Sequence, residues 1–325
     1  MLFELAVLLG SVFLLYKCAN RVAESAVILS RFFGISQLAI GFVLIAVSTS
    51  IPELAVSITS SVAHEGSIVI GNVFGSNIAD LLLVLGLGAF LFGVKITAGV
   101  RKDIGLVLLA TSAISIYILY SATVHSALLG FAEGIALLAV FALYVFYLLG
   151  KKKIDEENGA GMPTKHRALT AFLWFFACII GVILSAGWTV DAAVKLAEAT
   201  GIAKSFIGAT IIAIGTSLPE LSIDLAALRK KHYGLAIGDA IGSTMINITL
   251  VLGAGAAIYP ITVQAPMFIA TIIFAIFANV LLFYFAGDSN KMGKRQGAIM
   301  LACYALFLIV AFGLQAAEIA GMAAK

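Results

Sequence analysis

The sequence predicts an all-α membrane protein of ten transmembrane helices, built from two inverted five-helix repeats. Three observations predict it. Its 325 residues are 62% hydrophobic and only 11% charged, with a mean hydropathy of +1.11. An ordinary soluble domain is about 25% charged. Ten segments reach the roughly 20 apolar residues that a spanning helix needs. Finally, one stretch occurs twice. Ala46-Val47-Ser48-Thr49-Ser50-Ile51-Pro52-Glu53 is followed by a block from Gly71 to Asp80. Ala213-Ile214-Gly215-Thr216-Ser217-Leu218-Pro219-Glu220 is followed by a block from Gly238 to Asn247. Both blocks repeat at one offset of 167 positions, with no gap between them.

The expected spans are 2–19, 38–62, 67–92, 103–121, 127–149, 168–189, 205–228, 235–258, 266–286 and 296–316. The first is a permanent span and not a cleavable signal. Glu4 precedes its apolar run and Lys17 and Arg21 follow it, the reverse of a signal peptide's charge order. With these spans, 17 of the 20 basic residues fall on one side of the membrane; Lys195, Lys204 and Lys325 are left on the other. The positive-inside rule makes the basic side cytoplasmic and places both termini outside. Residues 1–150 then form the first repeat, with its motif block at 41–86. Residues 168–325 form the second, with its block at 208–253. Residues 151–167, KKKIDEENGAGMPTKHR, are a polar cytoplasmic linker. The histidines at 64, 125, 166 and 232 read as solvated loop residues, and Cys18, Cys178 and Cys303 as small apolar ones. Scattered basic residues give no support to nucleic-acid binding. No Ser/His or metal-His arrangement supports an enzyme, and no cofactor or obligate protein partner is implied. The surroundings are the lipid bilayer.

Equivalent positions lie in spans two and seven. Five spans apart is an odd number, so the repeats run in opposite directions through the bilayer. Transporters built this way bind their cargo near the midplane on interrupted helices. Pro52 and Pro219 lack an N–H and clash with the preceding turn. They should break spans two and seven and free carbonyls, such as those of Ala46, Thr49, Ala213 and Thr216, to face an ion.

Glu53 and Glu220 follow those prolines directly. A charge at the bilayer centre costs about 2.5–3.5 kcal/mol on insertion scales, so two at equivalent places point to a function. Carboxylates, hydroxyls and carbonyls together make a hard oxygen site suited to Ca²⁺ and Na⁺. The second block adds Ser76, Asn77 and Asp80, and Ser243, Thr244 and Asn247. Ser76 and Asp80, like Ser243 and Asn247, are four apart and share a helix face. The G-x-x-x-G pairs Gly71–Gly75 and Gly238–Gly242 permit close helix approach. Asn72 and Asp239 also correspond, as vestibule or capping residues.

The doubled G-T-S-x-P-E motif, each copy followed by a G-S-N-x-x-[DN]-type block, resembles the sodium/calcium exchanger family of calcium:cation antiporters, prokaryotic type, over essentially the full length. The resemblance implies exchange of cytoplasmic Ca²⁺ for external Na⁺ across the plasma membrane by alternating access. It implies as ion ligands Ala46, Thr49, Ser50, Glu53, Ser76 and Asp80, with Ala213, Thr216, Ser217, Glu220, Ser243 and Asn247. Spans one and six are its expected moving elements. Two departures stand out. Ser48 replaces the usual motif glycine, which repeat two keeps as Gly215. The acid of the acid/amide pair is Asp80 in repeat one, with Asn247 in repeat two. A third carboxylate keeps Ca²⁺/H⁺ exchange and K⁺-dependent Na⁺/Ca²⁺ exchange as alternatives. An ion channel would need no such doubled carboxylate site.

Overall fold

The computed structural model describes residues 2–124, 129–150, 162–199, 215, 217–262, 266–288 and 291–323. In chain order the helices are α1 (Leu2–Phe33), α2 (Gln37–Thr49), α3 (Ile51–Val62), α4 (Gly66–Leu91), α5 (Ala98–Val124), α6 (Phe131–Gly150), α7 (Lys165–Ala199), α8 (Leu218–Arg229), α9 (Tyr233–Ile258), α10 (Pro266–Asp288) and α11 (Lys294–Ala323). Strands β1 (Val94–Lys95) and β2 (Lys291–Met292) pair antiparallel. Among the described residues eight helices are long and apolar enough to cross a membrane, and the bent pair α2–α3 makes a ninth candidate span. The expected span at 205–228 is described only at Gly215 and from Ser217 onward, where α8 is its second part. Most of the linker, 151–161, lies outside the described residues.

The break between α2 and α3 bends the axis by 47°. It sits at one residue, Ser50, with φ −81° and ψ 4°, and Pro52 opens the next helix. Ser217 takes nearly the same conformation, φ −93° and ψ 10°, ahead of Pro219. Both serines lie in the sparsely allowed region between helix and strand where many site residues sit. The loop residues His64 and Lys231, also 167 apart, both take φ +64°. Corresponding backbone irregularities at one offset carry the repeat from sequence into structure.

Two helices run past their expected ends. α1 continues to Phe33 and α7 to Ala199, where the apolar runs end near 19 and 189. Beyond residue 19, α1 is amphipathic: Val22, Ala23, Ala26 and Leu29 are buried at helical spacing while Arg21 and Glu24 are exposed. At 1.5 Å per residue α1 is about 48 Å long, more than the roughly 30 Å hydrocarbon core. It therefore tilts or extends into the polar zone.

The chain forms two compact units, and each draws on both halves of the sequence. One comprises Met1–Thr49 and Leu149–Ala240; the other comprises Ser50–Leu148 and Ile241–Lys325. In the first unit α1 packs lengthwise on α7 and also against α8. Thr189 donates to Ser11 at 2.9 Å across the α1–α7 seam. α2 crosses the start of α9 at two glycines. A Cβ on Gly238 would overlap the Leu38 carbonyl oxygen and lie 2.8 Å from Leu38 Cα. A Cβ on Gly41 would overlap the Leu235 carbonyl oxygen and lie 2.9 Å from the Asp239 nitrogen. Gly71 and Gly75 differ: among the described residues no atom lies within 4 Å of a Cβ built there. The counterparts of Leu38 and Gly41 are Ser205 and Gly208, outside the described residues.

In the second unit α11 and α10 pack on α4, α10 packs on α5, and α3 lies against α4 and α9. Buried polar groups join these helices. Asn279 donates to Thr111 at 3.1 Å between α10 and α5. Asn72, half-buried on α4, donates to the Glu53 carbonyl at 3.0 Å and to Ser57 Oγ at 3.3 Å on α3. Asn72 thus braces α4 against α3.

Candidate functional site

Several candidates sit at local departures from regular helix. Thr49 Oγ1 bonds back to the carbonyls of Ile45 at 3.2 Å and Ala46 at 3.3 Å. The Ala46 carbonyl keeps a second lone pair for another partner. π-helical turns cover Gly41–Ala46, Ala79–Val84 and Asn247–Val251. The last two begin within a residue of Asp80 and at Asn247, the acid/amide pair. A π turn widens the helix, and such turns are frequent at functional sites. Regular α-helical spacing of Ser76 with Asp80, and of Ser243 with Asn247, did not anticipate them.

In the second unit, α3, α4 and α9 bring Ser50, Glu53, Ser76, Asp80, Ser243 and Asn247 into the buried interior; Glu53 is 4% exposed. Asn247 Nδ2 donates to Asn77 Oδ1 at 3.0 Å, and Asn77 Nδ2 donates to the Thr244 carbonyl at 3.4 Å. Asn77 and Thr244 are 167 apart, so two equivalent residues touch each other. After these bonds, four buried oxygens of the motif residues have no hydrogen-bond partner among the described residues: Ser50 Oγ, Glu53 Oε2, Ser243 Oγ and Asn247 Oδ1. Buried polar atoms are nearly always partnered. Buried oxygens left without hydrogen-bond partners suit a hard cation. Tyr304 of α11 lies within electrostatic range of Asp80, a neighbour with no motif to announce it.

In the first unit Ala46, Thr49, Ser217 and Glu220 are all buried, Glu220 at 3% exposure. Ala213 and Thr216 lie outside the described residues. Gly215 explains why repeat two keeps the motif glycine: a Cβ there would overlap Val190 Cγ2 of α7. Ser48, its counterpart, instead folds its hydroxyl back to the Leu44 carbonyl at 2.6 Å. Gly215→Ser should therefore destabilise by about 1–3 kcal/mol through overpacking, and Ser48→Gly by less. Equal unfolding temperatures for the two variants in detergent would contradict this.

Sequence reasoning missed Asp224, one turn after Glu220. Asp224 and Asp239 are both fully buried, and their side chains lie close enough to interact electrostatically. They occupy the positions of Ser57 and Asn72, so repeat two replaces a hydroxyl–amide brace by a carboxyl pair. Comparing the repeats position by position would have revealed it. Asp224→Ser combined with Asp239→Asn should fold with little change, because it restores the repeat-one pair. Asp224→Ala alone removes the partner of a buried carboxyl and should cost about 1–3 kcal/mol. Thermal unfolding of both variants checks this; an unshifted Asp224→Ala would sink it.

Among the described residues no three His, Cys, Asp or Glu side chains cluster as a metal centre. The oxygen set is instead mostly hydroxyls, amides and separate carboxylates. His64 is exposed in its loop, as expected, and stacks on Tyr259 at 3.8 Å; His232 is partly buried and so is not simply solvated. His125 lies outside the described residues.

Long apolar helices, a broken span and buried oxygens beside the break describe a multi-pass membrane transporter for cations. Residues 3–150 and 170–313 match the family model for sodium/calcium exchanger protein, and the chain belongs to that family. It is 33% identical to the inner membrane protein YrbG of Escherichia coli over 80% of this chain and 81% of that one. It is 29% identical to the sodium/calcium exchanger MaX1 of Methanosarcina acetivorans over 95% of this chain and 98% of that one. The solved structure of the sodium-calcium exchanger NCX_Mj, soaked with Na⁺ and Ca²⁺, superposes with a TM-score of 0.80 at 28% identity. That match covers 94% of this chain and 97% of the other. The chain is thus a membrane antiporter of the Ca²⁺/cation class.

Proposed function

We propose that this chain exports Ca²⁺ in exchange for external Na⁺ across the plasma membrane by alternating access. The proposed framework is ten spans in two inverted repeats, with both termini outside and the 151–167 linker cytoplasmic. The observation that carries the reading is the set of buried oxygens of Ser50, Glu53, Ser243 and Asn247, which have no hydrogen-bond partner among the described residues and all belong to the doubled motif. The contact between Asn77 and Thr244, equivalent residues of the two repeats, supports a pseudo-two-fold relation. The proposed ligands are Ala46, Thr49, Ser50, Glu53, Ser76 and Asp80, with Ala213, Thr216, Ser217, Glu220, Ser243 and Asn247. Glu53 and Glu220 each supply one carboxylate, enough together to neutralise one Ca²⁺. Ca²⁺ and Na⁺ draw on overlapping oxygens, so occupancy by one excludes the other and couples their movements.

The test is uptake of radiolabelled Ca²⁺ into proteoliposomes loaded with Na⁺, with K⁺, or with neither, with and without a pH gradient. Uptake that requires internal Na⁺ is expected. Uptake driven by a proton gradient without Na⁺ would replace the reading by Ca²⁺/H⁺ exchange, the second reading, which the buried, closely placed carboxyls of Asp224 and Asp239 favour. A requirement for K⁺ beside Na⁺ would make Asp80 the first residue to examine.

A further inference from the structure

A cavity of about 540 Å³ opens between the later part of α1, the start of α7 and the loop after α8. All three belong to the first unit. Arg21 and Arg31 of α1, His166 and Arg167 of α7, and His232 line it, with Glu24 as its one acidic residue. Glu24 is already engaged, accepting from Lys230 at 2.8 Å and from Arg21 at 3.3 Å. Among the described residues neither Arg31 nor Arg167 has an ion-pair partner. Arg21 also stacks over Trp174, 5.1 Å from the ring. The walls are helices, pinned where Arg229 donates to Tyr16 Oη at 2.6 Å and to Asn20 Oδ1 at 2.9 Å. The positive lining is therefore built in place, and among the described residues Arg31 and Arg167 are left without an acidic partner. The charge bias puts it on the cytoplasmic side, at the depth where α1 leaves its apolar run.

We propose that this cavity binds a phosphate-bearing anion, as the headgroup of an anionic lipid of the inner leaflet or as a free phosphate compound. Guanidinium groups match phosphate oxygens in paired hydrogen bonds, and basic pockets between transmembrane helices on the cytoplasmic side suit such headgroups. The site is separate from the cation ligands, and the proposal is the same whichever cation drives exchange. It also ties α1 to α7, so the bound anion would regulate transport through these two helices.

His232 gives the site a pH dependence. It faces Arg31 and Glu24 of α1, Lys230 of its own loop, and His166 and Arg167 across the cavity. Burial first, then Arg31 and Lys230, hold its imidazole below the usual histidine value, with Glu24 opposing. An anion beside it favours the protonated form, so anion binding takes up a proton. Affinity should rise as pH falls below about 6.5, the ordinary histidine value.

The experiment uses the full chain in detergent. Native mass spectrometry counts retained phosphatidylglycerol against phosphatidylcholine, and Trp174 fluorescence follows titration with each lipid and with inorganic phosphate. Arg31→Gln with Arg167→Gln should weaken binding by tenfold or more, while Lys294→Gln with Arg295→Gln, basic residues outside the cavity, should leave it unchanged. His232→Gln should remove the rise in affinity between pH 7.5 and 5.5. Binding of phosphatidylglycerol alone identifies the lipid as the source; binding of inorganic phosphate as well identifies a general phosphate site. Equal retention of phosphatidylcholine, or undiminished binding by the Arg31/Arg167 variant, overturns the proposal.

Discussion

Glu53→Gln and Glu220→Gln should each abolish Na⁺-dependent Ca²⁺ uptake while leaving the protein folded. Glutamine keeps the shape of the side chain and one carbonyl oxygen, but it removes the negative charge. Both glutamates are buried, so water does not make up the loss. Removing one partner of a buried charge interaction costs about 3–5 kcal/mol, which is roughly two to three and a half decades of affinity. Uptake would fall below detection at micromolar Ca²⁺. Unfolding temperatures should hold or rise, because the substitution also removes a charge from the membrane interior. The two variants should be equally severe, since the residues are equivalent in the repeat. Uptake at wild-type rate in either would place the ion ligands elsewhere. Loss in one alone would leave the repeats chemically unequal, with Asp80 as the compensating carboxylate.

Gly238→Ala should be strongly destabilising. Its Cβ would meet the Leu38 backbone at the α2–α9 crossing, including Cα at 2.8 Å. Backbone cannot rotate out of the way, so the two helices must separate. Overpacking usually costs about 1–3 kcal/mol and occasionally more; a contact with backbone belongs at the top of that range. Gly41→Ala should behave alike, because it meets Leu235 and Asp239 from the other side. Gly187→Ala is the control. Gly187 lies exposed on α7 with no described atom within 4 Å of the added methyl. Alanine there should gain up to about 1 kcal/mol of helix propensity. Thermal unfolding in detergent ranks the three, and a Gly238→Ala protein as stable as the control would refute the crossing.

The bend at Pro52 was legible before any coordinates, because a missing N–H and a ring clash are local and act within one turn. The burial of Glu53 and Glu220 was legible for a related reason: an apolar run of span length leaves a charge in its middle nowhere else to go. The offset of 167 residues made the pairing of the two motifs readable, since a duplicated gene carries its own internal comparison. Helix ends were less legible. α1 runs on to Phe33 because Val22, Ala26 and Leu29 bury against α7 and α8, a gain that apolar run length does not count.

Contacts between distant segments belong to the tertiary structure. G-x-x-x-G occurs at Gly71 and at Gly238, yet only the second is a close crossing among the described residues, because what a glycine permits depends on the helix opposite it. Asn77 was visible as a polar residue, but its bond to Thr244, and the orphaned Asn247 oxygen beside it, arise only when α4 and α9 meet. Asp224 looked like one more acid near a helix end until α8 and α9 set it against Asp239. The sequence by itself determined which residues are chemically able to hold a cation, because residue type and burial in apolar spans are properties of the chain. The tertiary structure decided which of their atoms are left without partners, because a hydrogen bond is spent or spare only once the facing helix is in place.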